Sequence, residues 1–322
     1  MEKTNRDNEQ SRLRSILTSD AFKAWLPLIG FAIIIVVLHI MTNGKILTPK
    51  KLRLLLSQIY YPTIVAVGVF FVMTLGSIDF TEGSTLGVAS IVISALSFHS
   101  IPLAIVAGIL TGAAIGAING FFHVKFKLQS FIVTICTMYL FRGVCAYFTT
   151  ETAVPASAAI KALDLNWLKI TITLVVLVVA WFLFRFTRIG NDVKAVGSGE
   201  TAARFSGVRT DRVKFLAFVA AGALTGLAAF VNVIKVGSIT ATAGNQLETQ
   251  ILISLVLGGL PITGGAKVRF SNIVVGTLMY AILNSGLSIL GYDPQTQQLI
   301  KGVIFLIFVA LTIDRKALKV IK

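Results

Sequence analysis

The sequence predicts an all-α, polytopic integral membrane protein with about ten transmembrane helices and both termini in the cytoplasm. Three observations lead there. Apolar runs of span length recur along the 322 residues, which are 55% hydrophobic and only 13% charged. Mean hydropathy is +0.84, whereas soluble domains carry about 25% charged residues and shorter apolar runs. Lys and Arg also fall unevenly between the segments that join the runs. A helix needs about 20 mostly apolar residues to cross the hydrocarbon core, and only helices and closed barrels satisfy their backbone there. Barrel strands alternate in polarity, and these runs do not.

In chain order the expected spans are 26–42, 59–76, 84–98, 101–121, 129–149, 167–186, 215–233, 249–265, 272–290 and 298–313. The first follows a charged leader (1–24), but no small-residue cleavage site follows it and further spans do, so it is not a signal peptide. Between the second and third lie Asp79 and Glu82 in a Gly-flanked turn. They either sit solvated at the interface, or Asp79 caps a half-helix of a broken element. The fourth span places Gly108, Gly112, Gly116 and Gly120 at strict four-residue spacing, a stripe that lets a second helix approach closely. Asn119 beside it needs a partner inside the bundle, for packing or for a solute.

The fifth span carries Arg142, which either snorkels outward or pairs with an acid such as Asp79, Glu82 or Glu151. Its two cysteines, Cys136 and Cys145, lie nine residues apart on one helix, outside disulfide geometry, and read as packing residues. The seventh span repeats the small-residue device with Gly222 and Gly226. Asn245, Gln246 and Glu248 precede the eighth, beside Thr240 and Thr242, as an exposed polar loop or an entrance. Asn284 in the ninth is a further intramembrane polar residue and pathway candidate. His39, His99 and His123 are too scattered for a metal site, so no metal is expected.

The formal net charge is +15. With the N-terminus inside, cytoplasmic segments and span edges hold 20 Lys and Arg, external ones hold 8, and Arg142 lies within a span. That asymmetry is the positive-inside signal, so the basic balance sets orientation rather than marking a nucleic-acid partner. No interspan segment reaches domain size, which leaves one transmembrane domain over 1–322. No P-loop sequence is present, so no ATPase chemistry, cofactor or catalytic residue is expected in this chain.

One cytoplasmic loop (187–214) stands out, with the sequence GNDVKAVGSGETAARFSGVRTDRVKF over 190–215. Ser198 or Gly199 can cap a short helix, Glu200 sits near its positive end and Gly207 suits a left-handed stop. Glu200 and Arg204 are spaced for an ion pair, while Ala202 and Phe205 share another face. A two-turn helix is unstable alone and needs something to dock against. Orientation explains the basic residues of an ordinary solvated loop, but not a capped element with an exposed Phe205.

The loop resembles that of the ribose/xylose/galactose-type permeases of bacterial ABC importers, in the branched-chain amino acid/sugar permease family. Gly190, Ala195, Gly197, Ala202 or Ala203, Ser206, Gly207 and Val208 match its pattern. LGSIDFTEGSTLG (75–87), GAAIGAINGFF (112–122), FRGV (141–144), LVLGGLPITGG (255–265) and LNSGLSILG (283–291) agree in order, over roughly 45–315. Glu82 departs from the pattern, and the turn within 264–277 is about three residues longer than the family's.

The resemblance implies a permease subunit in the bacterial inner membrane, paired with a second permease as a homo- or heterodimer. A cytoplasmic ABC ATPase would bind ATP and Mg, and an extracytoplasmic sugar-binding protein would deliver the solute. Ser198, Glu200, Ala202, Arg204, Phe205 and Gly207 would then form the coupling helix that docks on the ATPase. Rival expectations are a nucleoside or branched-chain amino acid permease of the same architecture, or an ion-coupled secondary transporter acting alone. The last would favour an inverted repeat and a midplane cluster of ionisable groups, and the sequence displays neither clearly.

Overall fold

The computed structural model describes residues 20–312. Residues 1–19 of the leader, and both chain ends with their expected cytoplasmic placement, lie outside the described residues. Thirteen α-helices follow in order: α1 Asp20–Met41, α2 Pro49–Thr74, α3 Glu82–Leu96, α4 Ile101–Lys125, α5 Ser130–Thr149, α6 Ala158–Lys161, α7 Asn166–Phe186, α8 Arg188–Ser198, α9 Glu200–Phe205, α10 Thr210–Val236, α11 Leu247–Leu257, α12 Ser271–Ile289 and α13 Pro294–Thr312. A short antiparallel pair joins β1 (Val154–Pro155) to β2 (Ser238–Ile239), with Val154 opposite Ile239.

The local signals explain the helix boundaries. Proline in the first turn starts α2 and α4, where its missing N–H is no loss. Gly237, at φ 72°, closes α10 in the left-handed conformation that glycine adopts without a Cβ clash. Each of the ten expected spans falls on a helix, and six helices (α2, α4, α5, α7, α10 and α12) are long and apolar enough to cross a membrane.

Two of the helices that carry these spans are too short to cross the hydrocarbon core, and α11 is also shorter than the 249–265 run expected for it. α3 has 15 residues, about 22 Å, and α11 has only 11, about 16 Å, against a hydrocarbon core of about 30 Å. The apolar run at 249–265 therefore stops being helical at Leu257, where Gly258 and Gly259 (φ 90°) turn the chain. Residues 77–81 lead into α3 without helix, and 240–246 form turns before α11. Such backbone is tolerated at membrane depth only against protein or water.

Burial separates centre from rim. In α2 and α10, 72% of the apolar window is buried; in α4, α5 and α7 the values are 28%, 22% and 28%. The first two helices thus form the core, and the others turn large side chains such as Leu110, Tyr139 and Phe182 toward lipid. The glycine stripe of α4 packs on α10: a Cβ at Gly112 would meet the Gly222 carbonyl, and one at Gly226 the Gly108 carbonyl.

At the end that the basic residues assign to the cytoplasm, Phe70, Phe184 and Phe270 stack edge to face across α2, α7 and the start of α12. Lys194 of α8 lies 4.0 Å over the Phe184 ring. Gly197 of α8 abuts the Thr74 carbonyl at the end of α2, which also accepts a hydrogen bond from Gly265 N at 3.0 Å. The loop helices are thereby seated on the central helix.

Candidate functional site

Three polar features stand out: a platform built by the 187–214 loop, a polar interior where broken helices meet, and a cavity toward the opposite face. On the platform, α9 spans Glu200–Phe205 and ends at Gly207, whose φ of 87° is left-handed. Gly199 occupies the N-cap, and no side chain caps it. Ser198 does not cap either: it ends α8, and its hydroxyl donates to the Lys194 carbonyl at 2.8 Å. The reason is local. α8 runs eleven residues to Ser198, so that hydroxyl is committed to the preceding turn.

Glu200 accepts from Arg204 at 3.2 Å and from Lys214. Arg204 also reaches Thr210 Oγ1 at 3.2 Å and Asp211 at 3.4 Å, which ties α9 to the first turn of α10. Partial burial pushes the Glu200 carboxyl up, but the hydrogen bond and charge of Lys214 and the charge of Arg204 outweigh it and hold it below the usual carboxylate range. Ala203 faces inward, whereas Ala202 is exposed and Phe205 is 89% exposed. The helix is thus braced internally, through Glu200, Arg204 and Lys214, and leaves the Phe205 ring open.

In the interior, Asp79 is buried just before α3, and its Oδ1 accepts from Thr81 N at 2.8 Å and Thr81 Oγ1 at 2.5 Å. Thr81 Oγ1 accepts from Asn119 Nδ2 at 2.9 Å, and Thr137 Oγ1 donates to Asn119 Oδ1 at 2.7 Å. Asp79 and Asn119 thus share one network that pins the non-helical 77–81 segment to α4 and α5. Thr81 holds the N-cap position of α3, and Asp79 braces the turn that precedes it.

Arg142 does not pair with Asp79, Glu82 or Glu151. Its Nη2 contacts both oxygens of Glu248, at 3.1 and 3.2 Å, in the first turn of α11. A cation fixed within a span recruits the acid that tertiary folding brings nearest, and Glu248 lies 106 residues away in sequence. Gly83 and Gly244 touch at this point, so the starts of α3 and α11 meet backbone to backbone. Glu82 is buried there and accepts from Thr225 of α10; its Oε1 has no hydrogen-bond partner among the described residues. The roles of Thr225 and Glu248 are not marked by local pattern, although a lone mid-span arginine signals that some carboxylate must approach.

Asn284 lies apart from this network. It accepts from Lys301 Nζ at 2.9 Å and lines a cavity of about 290 Å³ among α2, α10, α11 and α12. Cys136 is exposed and Cys145 buried, both as free thiols. No cluster of metal-ligating residues occurs among the described residues.

Comparison with known proteins identifies the family of the chain. Residues 52–309 match the family model described as branched-chain amino acid transport system / permease component. The ribose import permease protein of Escherichia coli K12 is 30% identical over 310 residues, covering 91% of this chain and 95% of that protein. That of Bacillus subtilis 168 is 31% identical over 300 residues, covering 90% and 92%. The L-arabinose ABC transporter permease protein of Azospirillum brasilense is 31% identical over 278 residues, covering 84% and 81%. No solved structure matches the chain. The chain belongs to the branched-chain amino acid transport system / permease component family.

Proposed function

We propose that this permease is the membrane subunit of an ATP-driven importer for a monosaccharide, resident in the bacterial inner membrane. Near-complete coverage by permeases named for ribose and arabinose carries the reading. Two such subunits would frame the pathway, a sugar-binding protein would deliver the solute outside, and a cytoplasmic ATPase would bind ATP and Mg. The chain supplies no hydrolytic chemistry of its own in this scheme.

The platform supports a division of labour. Ala202 and Phe205 face outward for the ATPase, while Glu200, Arg204 and Lys214 brace α9 against α10. The seating of α8 on Thr74 joins the same platform to α2. A rigid push on α9 would therefore reach both core helices and bias access on the far side. Reconstitution with its ATPase and binding protein in proteoliposomes tests the scheme. ATP-dependent uptake of a pentose or hexose is expected; uptake driven by an ion gradient without the ATPase, or of nucleosides alone, would overturn it.

A further inference from the structure

We propose that the cavity among α2, α10, α11 and α12 binds a negatively charged monosaccharide, a sugar carrying one carboxylate such as a uronate or aldonate. The inference rests on the sugar-permease reading and narrows its substrate class. At about 290 Å³ the cavity lies at the small end of ligand sites, which run from roughly 300 to 1,000 Å³. That suits one sugar ring rather than a disaccharide or a nucleotide.

The lining is suited to hydroxyl groups. Gln58, Gln250 and Asn284 offer planar amides, and Tyr61 and Tyr280 offer aromatic faces. Its charge is one-sided, with no Asp or Glu on the wall. Lys235 stands at the wall, donating to the Ser57 carbonyl at 3.1 Å and lying 5.9 Å from the Tyr61 ring. Lys301 stands behind Asn284 and Tyr280, 9% exposed, with Nζ at 2.9 Å from Asn284 Oδ1 and 3.5 Å from Tyr280 Oη. Neither lysine forms an ion pair with a carboxylate among the described residues.

Orientation sharpens the point. Both lysines belong to the external half, where only 8 of 29 basic residues lie. Topology gives no reason for a cation there. Lys235 is exposed at the end of α10, but the Lys301 ammonium, buried within α13, is costly there unless something negative completes it. A ligand carboxylate would do so, while the amides and rings hold the hydroxyls.

Saturation-transfer NMR on the full chain in phosphatidylcholine nanodiscs tests this with D-glucuronate, its neutral methyl ester and D-glucose. Glucuronate is expected to bind about tenfold more tightly than the ester, the size of one charge-assisted contact. Lys301→Gln should remove that preference, Lys301→Arg should keep it, and Lys235→Gln should weaken it. Equal binding of glucuronate and ester, no glucuronate signal, or a preference untouched by Lys301→Gln would overturn the proposal. Loss of the glucuronate signal on adding phosphatidylglycerol would also overturn it, naming a lipid headgroup as the occupant. ATP-driven uptake of a neutral sugar decides the parent reading separately, so the two can fail independently.

Discussion

Phe205 and Arg142 show what a residue's neighbours can and cannot reveal. The Glu200–Arg204 pair and the exposure of Phe205 follow from spacing within one turn, and the structure places both as that spacing predicts. Ser198 is ambiguous from sequence, because whether its hydroxyl serves the turn before or after depends on where α8 ends. Phe205→Asp is expected to abolish transport-coupled ATPase stimulation while leaving membrane yield and melting temperature unchanged, since the ring touches little of its own chain. Normal coupling in that variant would remove the role given to α9. The Arg142 partner is illegible in the sequence because it is set by folding, with Glu248 arriving from 106 residues away. Arg142→Met should destabilise the protein by about 3 kcal/mol, because Glu248 is left buried and unpaired. Adding Glu248→Gln should recover much of that loss in thermal unfolding in detergent, and a double variant no better than the single would disprove the pairing.

Elements are legible where hydropathy alone defines them and illegible where the chain departs from helix inside an apolar run. All ten expected spans fall on helices, yet the 249–265 run ends its helix at Leu257, which mean hydropathy cannot register. The local signals are Gly258–Gly259, Pro261 and Gly264–Gly265, and Gly259 takes a φ of 90° that a side chain would resist. The glycine stripe is legible as a packing face, but its partner comes only from the fold. Gly112→Leu is expected to separate α4 from α10, since even a Cβ there meets the Gly222 carbonyl, at a cost of about 3 kcal/mol or more. Gly143, where an added Cβ would meet nothing within 4 Å, provides the contrast. Gly143→Ala should be neutral or stabilising by up to about 1 kcal/mol. Equal melting shifts in the two variants would show that the stripe does not hold the bundle.

At the scale of the molecule, orientation comes from charge counting while the internal architecture comes from contacts no composition contains. The folded chain adds consistency to the count. The α8–α9 platform meets the ends of α2 and α7 on one side, and the β1–β2 pair and the Tyr292–Asp293 turn join helices at the other. If 20 basic residues inside against 8 outside set the topology, these two groups must face opposite compartments. Cysteines at Ser206 and at Asp293, placed singly in a chain carrying Cys136→Ser and Cys145→Ser, test this with a membrane-impermeant maleimide. Asp293→Cys should label in intact spheroplasts and Ser206→Cys only in inside-out vesicles. Labelling of both from one side would break the assignment of α9 to the cytoplasm, and with it the docking of an ATPase there. The opposite pattern would place the Lys235 and Lys301 cavity on the inner half, where positive charge needs no ligand to explain it.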